Sequence, residues 1–591
     1  MKKPLLASIA TATAAIMLAA CSPQAAENTP TAKSVSYDTA NPPSASEAAD
    51  ENSDNTATKD DEWSMDDAQD LTGTAITEIT EAGFYQITGA AGDITVNAPE
   101  DAQVVLVLDN AKVGSITVNS ADDVAIYVEG SDTSGAIYSE ADLTISGEGS
   151  LTTTTADEDS IVSKDDLVVL SGTLNVTAGD DGLKGTDSVT IKGGDITVNA
   201  QGDAVKSSKE DDETKGWVRI QDGTLHLTAG DDAISAATDV ILDGGTTEIT
   251  SADKGINAGT YILSDGGNVT IDSEDDGLHS DGGLRLTGGI FTIGAVDDGV
   301  HAEVAAVLDG ANLTVTNSEE ALEGGLITIS AGDLNLTSND DGINASGSTT
   351  AEAGAKAIAA AEKSADNESA DTDTDTDTDT TTNTGTKDQA QPGQPGQMGQ
   401  PGEGGMGAGM EGGMESTGEQ LTITGGTVTV NAGGDGLDSN GDLTMSGGTV
   451  TVWGPTDGGN GALDTAGSLT VTGGTLLAVG SSGMAEAPSS TDGQGWISAS
   501  ASGSAGDAVT ITDASGNEVA TFTTTKDFGN VVYSATGITN GESYTVSVNG
   551  TDTAVTAGEA AEGGMGGGPA GGMGQRPDDS TASSNGLSSQ A

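Results

Sequence analysis

The sequence predicts an all-β protein, a parallel β-helix with about 22 residues in each coil. Three observations support this fold class. Apolar residues that follow an acidic turn recur at a fixed interval, and short runs alternate between apolar and polar residues. The chain also contains 87 glycines but only 3% aromatic residues, which indicates a thin core of Val, Ile and Leu rather than a thick globular core.

The N-terminus has the pattern of an export signal. Lys2 and Lys3 precede an apolar run that ends in small residues directly before Cys21, the one cysteine of the chain. This resembles a bacterial lipobox, which implies a lipoprotein signal peptide over 1–20 and a diacylglycerol on Cys21. A plain signal peptide with a chance cysteine is the alternative. We expect a lipid-anchored, extracytoplasmic protein of the cell membrane or outer membrane.

The next two segments precede the regular coils. Residues 21–62 are rich in Ala, Ser, Thr, Asn, Pro and acid, without apolar periodicity, so we expect a disordered tether. Residues 63–130 contain strand-like runs in poorer register, which indicates an N-terminal capping β region.

The apolar residue that ends each acidic turn marks the period. Six of the ten successive spacings equal 22 residues, and the larger spacings indicate insertions. An antiparallel sandwich would give hairpin spacings, so one signature at a fixed interval favours a solenoid. The marking residues are Ile161, Leu183, Val205, Ile234, Ile256, Leu278, Val300, Leu322, Ile343, Leu437 and Leu463.

One unit, from Ser188 to Lys206, has the pattern of a single coil. Its apolar residues alternate with polar residues in short runs, as in strands that bury one face. Gly193-Gly194 and Gly202-Asp203 lie between the runs, where the chain must turn. Each unit therefore supplies about three short strands and three bends.

Departures from the period divide the rest of the chain. We expect coils over 131–346 and further coils over 419–484. Between them, residues 347–418 are rich in Ala, then Asp-Thr, then Gly, Pro, Gln and Met, which is typical of a disordered low-complexity insertion. After the coils we expect a small C-terminal β cap over 485–556 and a disordered Gly/Met/Ser tail over 557–591.

Composition excludes several functions. The chain has 19 Lys and Arg residues against 93 Asp and Glu residues, a formal net charge of −74. Nucleic-acid binding is excluded, because phosphate contacts need clustered basic residues. A single cysteine excludes a disulfide framework and a cysteine-ligated zinc or iron–sulfur site.

Acidic residues recur two and three positions before the marking apolar residues. Equivalent residues of adjacent coils stack about 4.8 Å apart, and ionised carboxylates at that separation repel each other. Ca²⁺ takes six to eight oxygen ligands, so an ion between two coils can reach carboxylates from both, and calcium is the expected cofactor. The alternative is that Asp-Gly is ordinary turn composition that keeps the protein soluble. The candidate metal ligands are Asp180, Asp181, Asp203, Asp231, Asp232, Asp253, Asp275, Asp276, Asp297, Asp298, Asp340 and Asp341.

The residue after each marking apolar residue forms a second column. Lys184 and Lys206 are neighbours in this column, as are His279 and His301. A lysine beside acids can balance their charge, contact a sugar carboxylate, or act as a base if its pKa falls. We take Lys184 and Lys206 as candidate ligand-binding residues, and we interpret the histidines as a hydrogen-bonded stack. We assign no catalytic residue, because the sequence has no serine triad order, phosphate-binding loop or paired-histidine zinc motif.

Several stretches resemble the bacterial secreted carbohydrate-binding β-helix family, which is related in fold to calcium-dependent pectate lyases. The resemblance implies a right-handed, single-stranded parallel β-helix, bound calcium, and binding of acidic or plant-type polysaccharide. The stretches are IYSEADLTISGEGSL (137–151), DGLKGTDSVTIKGG (181–194), DAVKSSKEDDETKGWVRIQDGTLHLTAGDDAI (203–234) and, similar to the C-terminal cap of the family, KDFGNVVYSATGITNGESYTV (526–546).

The resemblance also implies roles for individual residues. The related lyases use aspartates on Ca²⁺ and a lysine as the base. The positions that match those roles are Asp180, Asp181, Asp203, Lys184 and Lys206. Ala204-Val205 replaces the more usual Gly-Leu of the turn, which weakens the match at Asp203.

Three functions remain open from the sequence. The first is a surface-anchored protein that binds acidic or plant-type polysaccharide through calcium bridges, with the membrane reached only through the lipid anchor. The second is a calcium-dependent polysaccharide lyase, and the third is a non-catalytic structural adhesin. We expect a binding protein and not an enzyme, because acids beside Lys184 and Lys206 raise the lysine pKa, whereas a base needs a lowered one.

Overall fold

The computed structural model describes residues 42–55, 57–59, 63–64, 68–71, 78–350, 353–354, 356 and 418–561. The predicted signal peptide, Cys21, most of the predicted insertion and the tail from residue 562 lie outside the described residues. In the ranges that are described, no helix is long and apolar enough to cross a membrane.

The chain is a parallel β-solenoid of about 15 turns, which confirms the predicted fold class. Coils stack in register, so that Leu183 is paired with Val205 and Ile196 is paired with Leu225. Each regular coil contributes one strand to each of three parallel sheets. We call them the first, second and third sheets in the order in which a coil reaches them after its acidic turn.

Most strands belong to one sheet. Four long strands, given last, bend from one sheet into the next, and the end of Gln103–Lys112 also reaches the third sheet, where Lys112 pairs with Thr133. The strands of the first sheet are Glu78–Ile79, Ile94–Asn97, Ile116–Ser120, Ile137–Ser139, Ile161–Ser163, Leu183–Gly185, Val205–Ser207, Ile234–Ala236, Ile256–Ala258, Leu278–Ser280, Ile343–Ala345, Leu437–Ser439 and Leu463–Thr465. The strands of the second sheet are Gln69–Asp70, Gly83–Ala90, Gln103–Lys112, Asp123–Val128, Asp142–Gly147, Asp166–Val169, Ser188–Ile191, Trp217–Ile220, Asp239–Leu242, Gln420–Ile423, Asp442–Met445 and Leu469–Val471. The strands of the third sheet are Ser131–Ser134, Ser150–Thr154, Thr173–Thr177, Asp195–Asn199, Thr224–Ala229, Thr246–Ser251, Asn312–Asn317, Asp333–Thr337, Thr427–Asn431, Thr449–Trp453 and Thr475–Gly480. The bent strands are Val300–Asp309 and Glu323–Ala331, from the first sheet into the second, and Tyr261–Ser273 and Gly283–Gly294, from the second into the third.

The core is a narrow stack of apolar side chains that runs through the coils. All the apolar residues that mark the sequence period, from Ile161 to Leu463, are buried in this stack. Burying one such side chain stabilises the fold by about 1.5–3 kcal/mol, so the repeated pattern accounts for the stability of the stack. Phe291 is the one aromatic residue among the largest fully buried side chains of the described chain.

The coils begin earlier than the acidic signature indicates. Within the expected N-terminal cap, Ile94–Asn97 pairs in parallel with Ile116–Ser120, which in turn pairs with Ile137–Ser139 in the first sheet. The turns before these strands have Ser115 and Ala136 directly ahead of the apolar residue and carry no paired acids there. A search for the acidic signature therefore misses coils whose strand spacing is already regular.

The stack is continuous across the predicted insertion. Leu437 pairs directly with Ile343, and Val428 pairs with Leu334. The coils on the two sides of the insertion are therefore neighbours in space.

Part of the segment expected as a tether packs on the coils. A helix spans Ala45–Glu51 and begins at Ser44, which forms a capping box with Glu47. Ala45 and Ala48 are buried against apolar side chains on the outer face of the second sheet. The helix has seven residues and a small apolar face, which is why its composition resembles that of a linker.

Antiparallel strands close the C-terminal end of the solenoid. Asn530–Ser534 pairs with both Thr475–Gly480 and Trp496–Ala499. A separate antiparallel sheet follows, formed by Ala508–Asp513, Glu518–Thr523, Ser543–Val548 and Thr551–Thr556. The ammonium of Lys526 donates to main-chain carbonyl oxygens of the last coils, including those of Trp453 and Gly454 at 3.3 Å, and so ties this region to the stack.

Candidate functional site

The acidic turns lie between the third sheet and the next strand of the first sheet, where they form one long ridge. We call the residues two positions before the marking apolar residues the inner ladder, and the residues one position after them the outer column. The inner ladder contains Asp159, Asp181, Asp203, Asp232, Lys254, Asp276, Asp298, Glu320, Asp341 and Asp435. The outer column contains Lys184, Lys206, Ser235, Asn257, His279, His301, Glu323, Asn344, Asp438 and Asp464.

Glycine follows the inner-ladder residue in most turns because the turn packs tightly against its neighbours. A Cβ on Gly277 would lie 2.3 Å from Cγ2 of Ile293 and 2.6 Å from the carbonyl oxygen of Gly299. A side chain cannot take such short contacts, so a larger residue would displace the turn. Close approach thus requires glycine at Gly277, whereas other turns have a small residue at the same position: Ser160, Ala204, Ala233 and Ala321.

Each inner-ladder aspartate accepts a hydrogen bond from a main-chain N–H of the next coil. Oδ1 of Asp159 accepts a hydrogen bond from the N–H of Asp181 at 3.1 Å, and Oδ1 of Asp181 accepts one from the N–H of Asp203 at 3.0 Å. The same bond joins Asp276 to the N–H of Asp298 at 3.0 Å. Bonds of this charge-assisted kind stabilise a fold by about 1.5–3 kcal/mol each, so the inner ladder has a structural role that the sequence did not reveal.

At the N-terminal end of the inner ladder, lysine ammonium groups contact Oδ2, the carboxylate oxygen that does not accept the main-chain bond. Lys184 Nζ lies 2.6 Å from Oδ2 of Asp181 and 3.1 Å from Oδ2 of Asp159. Lys206 Nζ lies 2.5 Å from Oδ2 of Asp203. Burial lowers the pKa of Lys206, but hydrogen bonding and negative charge from Asp203 outweigh burial and raise the pKa above its ordinary value. Both predicted ligand lysines are therefore protonated and paired with the ladder.

Lys254 takes an inner-ladder position in place of a carboxylate. Its ammonium lies 2.6 Å from Oδ2 of Asp275. The N–H of Lys254 donates to Oδ1 of Asp232 at 3.0 Å, and Nδ2 of Asn257 donates to Oδ2 of the same aspartate at 2.7 Å. Both carboxylate oxygens of Asp232 are therefore satisfied by the protein.

The two histidines of the outer column share one buried aspartate. Nδ1 of His279 lies 2.7 Å from Oδ2 of Asp276, and the rings of His279 and His301 meet edge to face with centroids 5.0 Å apart. Burial lowers the pKa of His279, but hydrogen bonds to Asp276 and Asp281 raise it to about 9. The same contacts hold the pKa of Asp276 far below its usual range, so this pair is ionised at neutral pH.

The charge balance changes at Asp298. Nδ1 of His301 lies 3.6 Å from Oδ2 of Asp298 and 3.7 Å from Oδ2 of Asp276, so one imidazole is shared between two buried carboxylates. Burial and the negative charges of Asp276 and Glu323 raise the pKa of Asp298. The positive charge of the outer column ends here.

Six carboxylates beyond this point are linked by mutual electrostatic repulsion. We call Glu320, Asp341, Asp435, Asp438, Asp464 and Glu486 the acidic cluster. Within the described ranges no member forms an ion pair with Lys, Arg or His, in contrast to five aspartates earlier in the ladder, Asp159, Asp181, Asp203, Asp276 and Asp298. Burial, followed by neighbouring negative charge, raises the pKa of Asp341 to about 6 and the pKa values of Asp438 and Glu486 to about 7.

The amide of Asn344 supplies a further acceptor beside the acidic cluster. Asn344 is only 8% exposed, and its Oδ1 is buried without a hydrogen-bond partner among the residues that the structure describes. Its Nδ2 donates to Oε2 of Glu320 at 3.0 Å, so turning the amide over would set Oδ1 against that carboxylate. In the outer column Asn344 is paired with Asp438, and Asp438 with Asp464. Ca²⁺ takes amide and carboxylate oxygens as ligands, so the buried amide oxygen and the carboxylates beside it fit that ion.

The predicted metal ligands fall into two classes. The inner members of the acidic pairs are in the ladder described above, and the outer members lie nearer to solvent: Asp180, Asp231, Asp297 and Asp340 are exposed, and Asp253 and Asp275 are half-buried. The structure brings some of them together, because carboxylate oxygens within 4.8 Å of one another occur in the sets Asp159/Asp180/Asp181 and Asp231/Asp232/Asp253.

Sequence reasoning missed several acidic residues. Asp438 and Asp464 belong to the outer column, so the sequence period contains their signal, although the interpretation of that column rests on its lysines and histidines. Glu486 follows the last coil, where the period has ended, and nothing in the sequence placed it near Asp464. A further set, Asp142/Asp165/Asp166, also brings carboxylate oxygens within 4.8 Å of one another and lies at the turn into the second sheet, which the sequence did not single out.

The family model and the curated relative that match this chain carry the same description. A family model named for carbohydrate-binding domain-containing proteins matches residues 72–299 and 280–392. A curated relative with the same name, from Acetivibrio thermocellus, is 38% identical over 206 residues, which are 30% of this chain and 72% of the relative. A solved structure of a polysaccharide lyase-like protein from C. thermocellum, a gadolinium derivative, is 29% identical, covers 33% of this chain and 86% of that one, and has a TM-score of 0.30. Asp435, Asp438, Asp464 and Glu486 lie beyond the ranges that the family model matches.

Proposed function

The chain belongs to the family of carbohydrate-binding domain-containing proteins, and from this premise we propose that it binds an acidic polysaccharide through calcium ions held by the acidic cluster. The relative from Acetivibrio thermocellus is named for carbohydrate binding, and polysaccharide is accordingly the partner of this chain. The observation that carries the calcium proposal is the set of cluster carboxylates without a cationic partner, beside the unpaired Oδ1 of Asn344.

Charge explains why an ion is needed. With a formal net charge of −74, the protein repels a polyanion such as polygalacturonate unless a cation lies between them. Ca²⁺ takes six to eight oxygens, so an ion held by a few protein oxygens keeps positions for sugar carboxylates and hydroxyls. A bound calcium ion supplies this bridge and at the same time removes the repulsion within the cluster.

We assign the calcium to the C-terminal part of the ladder. The ion would be held by Asp341, Asn344, Asp435, Asp438 and Asp464, because their free oxygens have no positive partner among the described residues. Earlier ladder carboxylates are less suitable, since their second oxygens already accept bonds from Lys, Asn or His. Of the metal ligands that the sequence predicts, only Asp341 belongs to the acidic cluster, and Asp340 lies beside it.

Binding without cleavage is the activity that we favour. A lyase base must lose its proton near neutral pH, whereas the pKa values of Lys184 and Lys206 are raised by the carboxylates that they contact. We assign these lysines to charge balance along the ladder, with their exposed sides available to a sugar carboxylate.

We also propose that Cys21 carries a lipid anchor, on the strength of the lipobox-like residues before it. The solenoid would then be held at the cell envelope. A Cys21→Ser variant should leave the membrane fraction of expressing cells and appear in the soluble fraction. Unchanged partition of the variant with membranes would contradict the anchor.

Retention on immobilised polygalacturonate tests the binding proposal. We expect the full chain to be retained in calcium and released by chelator, with no unsaturated uronide product by ultraviolet absorbance. The double variant Asp435→Asn/Asp438→Asn should lose retention, while Asp180→Asn/Asp231→Asn, which changes exposed acids elsewhere on the ridge, should keep it. Equal retention in calcium and in chelator would overturn the role of calcium, and steady growth of unsaturated product would make the protein an enzyme.

A further inference from the structure

A second candidate site lies on the outer face of the second sheet, away from the acidic ridge. The strand Trp217–Ile220 turns Val218 and Ile220 into the core. The alternation of a strand therefore directs Trp217 and Arg219 outward. The segment 49–55, which is the end of the N-terminal helix and the residues after it, crosses over these side chains and leaves a cavity of about 140 Å³ beneath it.

The cavity has a fixed roof. The N–H of Ser53 donates to the carbonyl oxygen of Thr214 at 2.8 Å, and Nδ2 of Asn55 donates to Oγ1 of Thr190 at 2.6 Å. Nδ2 of Asn52 reaches Oδ2 of Asp239 at 3.2 Å. The cavity is therefore formed before any ligand arrives, which reduces the ordering cost of binding.

Two residues that line this cavity, Trp217 and Lys192, carry side-chain donors that have no acceptor among the described residues. Trp217 is only 5% exposed, and its Nε1–H is buried without a hydrogen-bond partner among the described residues. Lys192 also lines the cavity and is in none of the ion pairs of the described chain, whereas Arg219 is held at 2.7 Å by Asp243. Buried polar groups are almost always paired, so an unpaired indole N–H beside a free ammonium indicates that an acceptor is missing.

The remaining lining residues suit a sugar. Gln221 and Asn55 offer amide groups, and Asp54 offers a carboxylate that can accept hydrogen bonds from hydroxyls. The indole ring of Trp217 adds an apolar surface of the kind that packs against a sugar ring. Lys192 and the neighbouring Arg219 give this part of a strongly acidic protein a local positive charge, and the pKa of Lys192 is lowered by burial and then by the charges of Lys59 and Arg219.

We propose that this cavity is a second carbohydrate subsite, which binds one uronate residue directly and without calcium. The sugar carboxylate accepts hydrogen bonds from Nε1 of Trp217 and Nζ of Lys192, and the ring hydroxyls bond to Gln221, Asn55 and Asp54. The inference rests on the proposed binding of acidic polysaccharide, but it uses a different face and a different interaction. A chain bound by both sites would be held by calcium on one face and by direct ion pairing on the other.

Indole NMR of the full chain tests this subsite. The chain contains four tryptophans, so labelling them with ¹⁵N gives a small set of indole signals, and Trp217→Phe assigns the relevant one. With chelator present, galacturonate should shift the Trp217 signal, and glucose should shift it at least tenfold more weakly at equal concentration. Lys192→Gln should weaken galacturonate binding by tenfold or more, while Lys112→Gln, which changes an exposed lysine elsewhere on the second sheet, should leave it unchanged.

The outcomes separate the two sites. No shift with galacturonate in chelator, an equal response to glucose, or full binding by a folded Lys192→Gln variant would overturn the subsite and leave calcium-dependent retention untouched. Loss of calcium-dependent retention with an intact Trp217 response would overturn the ridge and keep the subsite. If Lys192→Gln fails to fold by circular dichroism, the glucose comparison on the wild-type chain still decides between the alternatives.

Discussion

The two ends of the acidic ridge have the same main-chain geometry and different charge balance. At both ends an inner-ladder carboxylate accepts the N–H of the next coil, as Asp181 does from Asp203 and Asp341 does from Asp435. In the N-terminal part, lysine, asparagine and histidine side chains of the outer column contact the carboxylates of the inner ladder. From Glu323 onward, the same column adds only acids and one asparagine.

This difference distinguishes the carboxylate oxygens that stabilise the fold from those that remain available to a ligand. The main-chain bond recurs along the ladder, so it belongs to the solenoid. Positive partners occur in the N-terminal part of the ladder, and in the described part of the chain their absence from the acidic cluster leaves carboxylate oxygens free. Burial and mutual repulsion raise the pKa values there, and a bound cation would relieve the same repulsion that otherwise favours protonation.

Neutralising one inner-ladder carboxylate should have opposite effects at the two ends. Asp181→Asn keeps an acceptor for the next coil but removes the charge that Lys184 and Lys206 contact, so we expect the free energy of unfolding to fall by about 2–4 kcal/mol. Asp435→Asn, measured in chelator, removes repulsion and should not lower the free energy of unfolding. Urea unfolding followed by circular dichroism measures both. Similar losses for the two variants would mean that the ends do not differ in charge balance.

The acidic cluster should make the calcium-free protein sensitive to pH. The pKa values of Asp341 and Asp435 are raised to about 6 and that of Asp438 to about 7, above the ordinary value near 4. A raised folded-state pKa gives stability that is present below about pH 4 and is lost as pH rises to about 7. Amide protection factors over residues 420–480, which are corrected for the intrinsic pH dependence of hydrogen exchange, should therefore fall across that window in chelator. Calcium should remove this dependence, and an identical pH profile with and without calcium would contradict the prediction.

The histidine pair should give the opposite half of the ridge a different pH window. The folded-state pKa of His279 is raised to about 9, from an ordinary value near 6.5. Its contribution to stability is therefore complete below about pH 6.5 and is lost as pH rises through about 9. Thermal melts of the wild type and of His279→Gln should differ at pH 6 and converge near pH 10. A constant difference over this range would mean that the imidazolium is not what stabilises the pair.

Single exposed acids should have the smallest effects, and these effects should also differ between the ends. Asp340→Asn lies beside Asp341 and should weaken calcium binding a few-fold at low salt through long-range charge, with a smaller loss at high salt. Asp180→Asn should leave calcium binding unchanged. Neither variant should change the free energy of unfolding by more than about 0.5 kcal/mol. Equal effects of the two substitutions on calcium binding would place the ion elsewhere on the ridge.

The sequence predicted the coils because one physical requirement repeats. A buried residue such as Leu183 or Leu278 must recur once per coil, and the acidic turn before it has little freedom in length. Because the prediction relied on the acidic turn, it missed the early coils, in which Ser115 and Ala136 precede the apolar residue and the paired acids are absent. It also hid the helix Ala45–Glu51, since small residues such as Ala48 give no apolar pattern that differs from a linker.

The sequence predicted where the acidic ridge lies, but not which of its carboxylates have positive partners. Spacing placed Asp181 and Asp341 on one line, yet their hydrogen-bond partners follow from side-chain directions that spacing does not contain. The contribution of Asn344 depends on which amide atom is left unpaired, and that of Glu486 depends on a segment beyond the period. For the same reason, nothing in the sequence brought the segment 49–55 over Trp217.

Calcium titration by calorimetry tests the central claim most directly. The full chain, stripped with chelator, should bind calcium, and Asp435→Asn/Asp438→Asn should lose affinity by tenfold or more, because it removes two of the free carboxylates of the acidic cluster. Asp180→Asn/Asp231→Asn should titrate like the wild type, since those acids lie beside carboxylates that already have positive or amide partners. Unchanged binding by the first variant, or loss of binding by the second, would contradict the assignment of calcium to the C-terminal end of the ridge.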